Sequence, residues 1–276
     1  MRLQSATLAV FLTATAATAD VPNVVTDIAP VHSLVALVMG DLGDPTLLTR
    51  AYDDPHHMQL RPSQARDLTS ADAVFWIGAD LTPWLEDALT NLADNATVTA
   101  LRPPNANSPH GWLNPDNARA WLTTVARVLA DLDPENSQTY LTNANAADAD
   151  IAQLTKNLEL ILTPLQDQNL IFAHDAYGPF TDRFNLRTAA VLRDSGAATP
   201  GAAHLSDIRD LLQSGTIACA FHEPTQIPNQ LVSLTKNTDV LIAVLDPAGV
   251  TLKPGPELYR LLMENLAAEI ADCVNN

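Results

Sequence analysis

The sequence predicts an α/β protein of two βα lobes, each with a mainly parallel four-stranded sheet, joined by one long backbone helix. Short apolar runs alternate with helical periods, as in successive parallel βα units. The runs fall four and four around a central helical region. That region carries an apolar face too long for one small domain.

The first four strands are expected near 23–26, 46–49, 73–77 and 97–101, and the last four near 170–173, 188–192, 216–221 and 240–245. A six-residue echo hints at duplication: Ser-Gln-Ala-Arg-Asp-Leu at 63–68 and Ser-Asp-Ile-Arg-Asp-Leu at 206–211 each precede a strand. Between the halves, Asn114-Pro115 supplies an N-cap and a proline at the first helical position. Ala118, Trp121, Leu122, Val125, Leu129 and Leu132 then form one apolar face. Asp133-Pro134 repeats the start signal. From there Tyr140, Ala144, Ala147, Ile151, Leu154, Leu158 and Ile161 recur in alternating steps of four and three until Pro164. Such a helix over 134–163 would be about 45 Å long at 1.5 Å per residue, a stiff connector rather than a flexible hinge. The expected organisation is a signal peptide at 1–19, an N-terminal lobe at 20–133, the linker helix at 134–163 and a C-terminal lobe at 164–276.

Composition removes several classes of partner. The 276 residues include 15 Lys and Arg against 32 Asp and Glu, a formal charge of −17, with 47% apolar and 17% charged residues. That balance rules out a disordered acidic tail. It also opposes nucleic acid and anionic membrane surfaces, because no basic excess exists to meet phosphate. Arg2, the apolar stretch from Leu8 to Leu12 and Ala17-Thr18-Ala19 read as a signal peptide with an A-x-A cleavage site. No later run reaches the ~20 apolar residues of a membrane span. Export makes a disulfide between the two cysteines, Cys219 and Cys273, the natural pairing. With no C-x-x-C, neither redox catalysis nor a thiolate zinc knuckle is indicated.

Position, not number, singles out four of the candidate ligands. His56 follows the second strand, His110 the fourth, His174 the fifth and Asp246 the eighth. All lie beyond carboxyl ends of strands, where open α/β sheets bind ligands, and two come from each half. If the lobes face each other, three neutral imidazoles and a carboxylate suit a tetrahedral Zn²⁺ shell. Taken singly, each histidine could instead be a hydrogen-bonded loop residue. His57 neighbours His56, but adjacent loop side chains diverge. His32 and His204 stand at helix starts, as caps or surface residues. His222 and Glu223 follow a strand and could reach the cleft, or pack behind it. Asp53 and Asp54 are spare carboxylates beside His56. H-E-x-x-H, G-x-S-x-G, G-x-G-x-x-G and the Walker lysine motif are all missing. A shell closed by four protein ligands favours holding a metal over using it.

Five ordered motifs carry a family resemblance. They are Asp-Pro-His-His-Met-Gln-Leu-Arg-Pro-Ser at 54–63 with Ser-Ala-Asp-Ala-Val-Phe-Trp-Ile-Gly at 70–78, Pro-His-Gly-Trp-Leu-Asn-Pro-Asp-Asn at 109–117, His-Asp-Ala-Tyr-Gly at 174–178 with Arg183-Phe184, Glu-Pro-Thr-Gln at 223–226, and Leu-Asp-Pro-Ala-Gly at 245–249. Together they resemble the ZnuA-like proteins, periplasmic zinc-binding components of ABC importers in the cluster A-I class. The resemblance spans nearly the whole mature chain. It implies two βα lobes joined by a long helix, His56, His110, His174 and Asp246 as metal ligands, and a cysteine pair at Cys219 and Cys273. It implies a monomeric periplasmic protein, not an enzyme, that delivers Zn²⁺ to an ABC permease and its ATPase, with a metallochaperone as a further partner. Manganese-type relatives carry a carboxylate where this chain has His174, so the ligand set favours zinc over Mn²⁺ or Fe²⁺. A secreted zinc hydrolase, with Glu223 as base, is the rival of another class, and a metal-dependent adhesin a third. Two departures stand out. Only residues 102–109 precede the second motif, with no histidine-rich loop, and Pro55 stands where some relatives place a carboxylate.

Overall fold

The structure is a computed structural model that describes residues 21–102, 108–193, 200–226 and 228–276. The expected signal peptide lies outside the described residues. All eight expected strands form. In the N-terminal lobe they are β1 (Val24–Thr26), β2 (Thr46–Leu47), β3 (Ala73–Trp76) and β4 (Thr97–Ala100), in the order β2-β1-β3-β4. In the C-terminal lobe they are β5 (Asn169–Phe172), β6 (Arg187–Val191), β7 (Ile217–His222) and β8 (Leu241–Val244), in the order β6-β5-β7-β8. Every pairing is parallel. The two sheets share one topology, which extends the short sequence echo to whole lobes.

Helices α1 (Ala29–Met39), α2 (Pro62–Thr69) and α3 (Pro83–Leu92) belong to the first lobe. Helices α6 (Gly178–Phe184), α7 (Ala202–Gln213), α8 (Asn229–Leu234) and α9 (Leu258–Asn275) belong to the second. Between the sheets run α4 (Pro115–Leu132) and α5 (Ser137–Leu162). The Asn114 side chain accepts from Asp116 N and caps α4, as the Asn-Pro pair predicts. The long connector begins as a 3₁₀ turn at Pro134–Asn136 and continues as 26 α-helical residues. It buries the expected face from Tyr140 to Leu158. At the far end Leu162 is buried and Ile161 is 42% exposed, because a strict seven-residue repeat drifts against 3.6 residues per turn. Leu132, at the end of α4, is 39% exposed, and Ala126 is buried on that helix instead.

One apolar cluster runs through both lobes, from Val24 and Phe75 through Trp121, Tyr140 and Leu158 to Phe172 and Phe221. A continuous core of this kind makes the lobes resist independent motion. Smaller clusters cover the outer sheet faces, around Val74 and Leu85 in one lobe and Ile171 and Ile208 in the other. Among the described residues, no helix is long and apolar enough to cross a membrane.

Cys219 and Cys273 form the expected disulfide, tying β7 to α9 across a sequence separation of 54. Closing a loop of this size restricts the unfolded chain by about 4 kcal/mol in the entropy model. Reduction is therefore expected to lower the melting temperature by roughly 10 °C. Thermal melts with and without reductant check this, and a shift below roughly 2 °C would show that the bridge contributes little.

The carboxyl edge of each sheet is where the two lobes diverge. In the N-terminal lobe the switch point between β1 and β3 is filled by the chain itself. Asp27, fully buried, accepts from Ile28 N and Ile77 N, both at 2.8 Å. Burial pushes its carboxyl up to about 7, against the lowering effect of these bonds. In the C-terminal lobe the equivalent place, between β5 and β7, carries His174 and Glu223.

Candidate metal centre

Three histidines from three loops meet between the lobes. His56 lies in the loop after β2, His110 beyond β4, and His174 two residues after β5. Their ring centroids are 5.4 Å (His56–His110), 5.6 Å (His56–His174) and 5.1 Å (His110–His174) apart. One nitrogen from each can be chosen so that all three lie within 4.8 Å of one another. Tetrahedral zinc with bonds of about 2.0–2.1 Å needs nitrogens roughly 3.4 Å apart, a contraction that side-chain rotation can supply.

Local chemistry holds each ring in place. Asp54 Oδ1 accepts from His56 N at 2.9 Å, a turn typical of Asp before Pro, and Trp84 Nε1 donates to Pro55 O at 2.8 Å. Those two bonds set the backbone on which His56 turns inward, leaving its Nε2 buried with no hydrogen-bond partner. An orphaned buried nitrogen costs free energy unless a ligand takes it; His32 Nδ1 and Arg61 Nη1 share that state, but only His56 Nε2 belongs to the group of three. His110 is 3% exposed, with Nδ1 3.3 Å from Ser108 Oγ. The next turn is bolted to the other lobe: Trp112 Nε1 donates to Pro247 O at 2.7 Å, and Tyr259 Oη donates to Trp112 O at 2.8 Å. His174 Nδ1 is 2.7 Å from Glu223 Oε1. In His110 and His174 the remaining nitrogen is Nε2, and in His56 the same atom is the one buried without a partner.

The environment keeps His110 and His56 neutral. Burial pushes His110 well below the ordinary histidine value, and the neighbouring His174 and His56 push the same way. His56 is lowered by burial first and then by His174. Neutral imidazole is the form that binds a metal.

Asp246 lines the same cleft of about 410 Å³ but lies outside the group of three. Its Oδ1 accepts from Ala248 N at 3.1 Å, and its Oδ2 from Thr251 N at 3.0 Å and Thr251 Oγ1 at 2.9 Å. Its flanks are also tied down, since Tyr177 Oη donates to Leu245 O at 2.6 Å and Pro247 is held by Trp112.

The other histidines sit elsewhere. His57, beside His56 in sequence, faces outward and pairs with Asp54 Oδ2 at 3.1 Å, its side chain 61% exposed. His32 Nε2 bonds Pro45 O, His204 Nε2 bonds Val191 O, and His222 Nδ1 bonds the Glu223 carbonyl. Asp53 pairs with Arg61. Several supporting groups carry no sequence signal of their own, among them Ser108, Trp84 and Arg193. Glu223 was findable, since it directly follows a strand in a Glu-Pro pair.

A two-lobed parallel α/β molecule with a nitrogen-lined cleft is built as a solute-binding protein for a transition-metal ion. Comparison with known proteins specifies the class. The family described as "ZnuA: Zinc-uptake complex component A periplasmic" matches residues 24–273. A High-affinity zinc uptake system protein ZnuA from Paracoccus denitrificans is 36% identical over 304 residues, covering 94% of this chain and 93% of that protein. Another, from Brucella suis biovar 1, is 29% identical over 306 residues and covers 92% of each. A crystal structure of ZnuA superposes with a TM-score of 0.82 at 24% identity, covering 92% of this chain and 99% of the other. The chain belongs to the ZnuA family, whose members are binding components of zinc uptake rather than enzymes.

Proposed function

We propose that this protein captures Zn²⁺ between its lobes on His56, His110 and His174 and delivers it to an ABC permease driven by its ATPase. One observation carries the reading: three imidazoles from separate loops converge with one nitrogen of each within 4.8 Å of the others, and one of their nitrogens is buried without a partner. The working location is the periplasm, reached through a signal peptide at 1–19. The lobes divide at 20–133 and 164–276 around the helix at 134–163, and the protein acts as a monomer that also accepts zinc from a metallochaperone. Asp246 places its carboxyl group at the cleft wall. Its bonds to Ala248 and Thr251 leave lone pairs for a metal, so it can serve as the fourth ligand, although it lies outside the group of three. Its change to Asn is therefore expected to weaken zinc binding less than loss of any of the three histidines.

The nitrogen set argues for zinc over Mn²⁺, which favours oxygen ligands. The hydrolase alternative needs a base that faces the ion, whereas Glu223 is bonded to Nδ1 of His174 and to Gln226, behind that ring. Calorimetric titration of chelator-stripped protein tests the reading. One zinc per chain is expected, and manganese that survives equimolar zinc would overturn the preference. Zinc at a thousandfold excess over Kd should add about 4 kcal/mol to stability, readable as a rise of roughly 10 °C in melting temperature.

A further inference from the structure

We infer that Glu223 is a positioning residue that holds the Nδ1–H of His174, so that Nε2 is the ring nitrogen turned to the cleft. The inference rests on the zinc-capture reading for its purpose, but its geometry stands in the empty protein. Glu223 is 7% exposed and stands at the carboxyl end of β7, beside the β5 end that carries His174. Its Oε1 is 2.7 Å from His174 Nδ1, and its Oε2 accepts from Gln226 Nε2 at 2.9 Å. Gln226 Oε1 in turn accepts from Arg193. Arg193 is itself anchored next to His174, because its carbonyl accepts from Asp175 N at 3.0 Å.

Each link in this chain has one polarity. A guanidinium only donates, so the Gln226 oxygen must face Arg193. The Gln226 amide nitrogen then faces Glu223 and donates to it. An ionised glutamate only accepts, so His174 must offer N–H from Nδ1. Among the described residues no carboxylate pairs with Arg193, which leaves it to hold the amide. The other two ligands lack such direction. His110 meets only the Ser108 hydroxyl, which can donate or accept, and His56 Nε2 has no partner. His174 is thus the preset ligand, and the clamp on Oε2 keeps Glu223 behind the ring instead of on the ion. Carboxylates that orient a ligand histidine in this way change metal affinity by about 10- to 100-fold when removed.

The experiment is a long-range proton–nitrogen correlation spectrum of the imidazoles in chelator-stripped mature protein, followed by zinc titration. The wild type should show His174 as the Nδ1–H tautomer. In Glu223→Gln the donating Gln226 takes the new carbonyl and turns the new NH2 toward His174 Nδ1, so Nε2–H should appear at His174 and zinc affinity should fall by about 10- to 100-fold. In a His174→Ala background the same change should alter affinity by no more than about twofold, because Glu223 acts through that ring. Nε2–H at His174 in the wild type would overturn the inference, and so would an unchanged tautomer in Glu223→Gln or a full affinity loss that persists in His174→Ala. If Glu223→Gln does not fold, the wild-type tautomer decides alone. Absence of zinc binding in the wild type would instead strike the functional reading, leaving the tautomer measurement intact.

Discussion

Replacing His110 with alanine is expected to weaken zinc binding by roughly two to three orders of magnitude, and His56→Ala and His174→Ala should do the same. Structural zinc sites release about 10–16 kcal/mol over their ligands, so one ligand is worth about 3–4 kcal/mol, and each 1.4 kcal/mol is tenfold. His110 should be the most sensitive of the three. It is the most enclosed ring, at 3% exposure, and its turn is bolted across the lobes by Trp112 and Tyr259, so no neighbour can swing in to replace it. His57→Ala, one residue from a ligand, should change affinity by less than about twofold, because that ring points away and pairs with Asp54. Competition against a chromophoric chelator measures all four. A His57 variant as damaged as the His56 variant would mean that the loop turns inward on the wrong histidine.

The contrast between His56 and His57 shows where sequence reading stops. Strands announce themselves by continuous burial, so the run at 73–77 maps onto Ala73–Trp76 almost residue for residue. Placement of the candidate ligands beyond strand ends follows from topology, and the fold brings three of the histidines together. Which way a side chain turns is decided by bonds between distant segments. His56 is set by Trp84 from α3, and His174 by Glu223, 49 residues away. Neither contact has a period or a spacing. Asp246 makes the same point. Its strand-end position was readable, but the turn that orients its oxygens depends on the backbone of Ala248 and Thr251. Small shifts of phase, as at Ile161 against Leu162, come from adding a slight mismatch over a long helix.

Zinc affinity is expected to stay level from pH 8 to about 6.5 and then to fall steeply in acid. Protons compete with metal only when they bind the empty site. Burial lowers the pKa of His110 well below the ordinary 6.5, and His56 is lowered as well. Both rings therefore stay neutral and ready until the pH is below the usual histidine range. Once His56 and His110 begin to charge, the loss should steepen toward about a hundredfold per pH unit, the limit for two protons. The stability of the empty protein carries the same groups with a definite sign. Their folded pKa lies below the unfolded value, so the unfolded chain takes protons first and stability drops as pH falls below 6.5. Asp27 works in the opposite direction. Its folded value of about 7 exceeds the unfolded 3.8, so its proton favours the fold as pH falls through that interval. Because Asp27 lies at the β1–β3 switch point and not in the cleft, Asp27→Asn should alter the pH profile of unfolding while leaving that of zinc affinity unchanged. Chelator competition between pH 5 and 8, corrected for titration of the chelator, separates the two. A decline in zinc affinity that already begins between pH 8 and 7 would show that the histidines are not held neutral by burial.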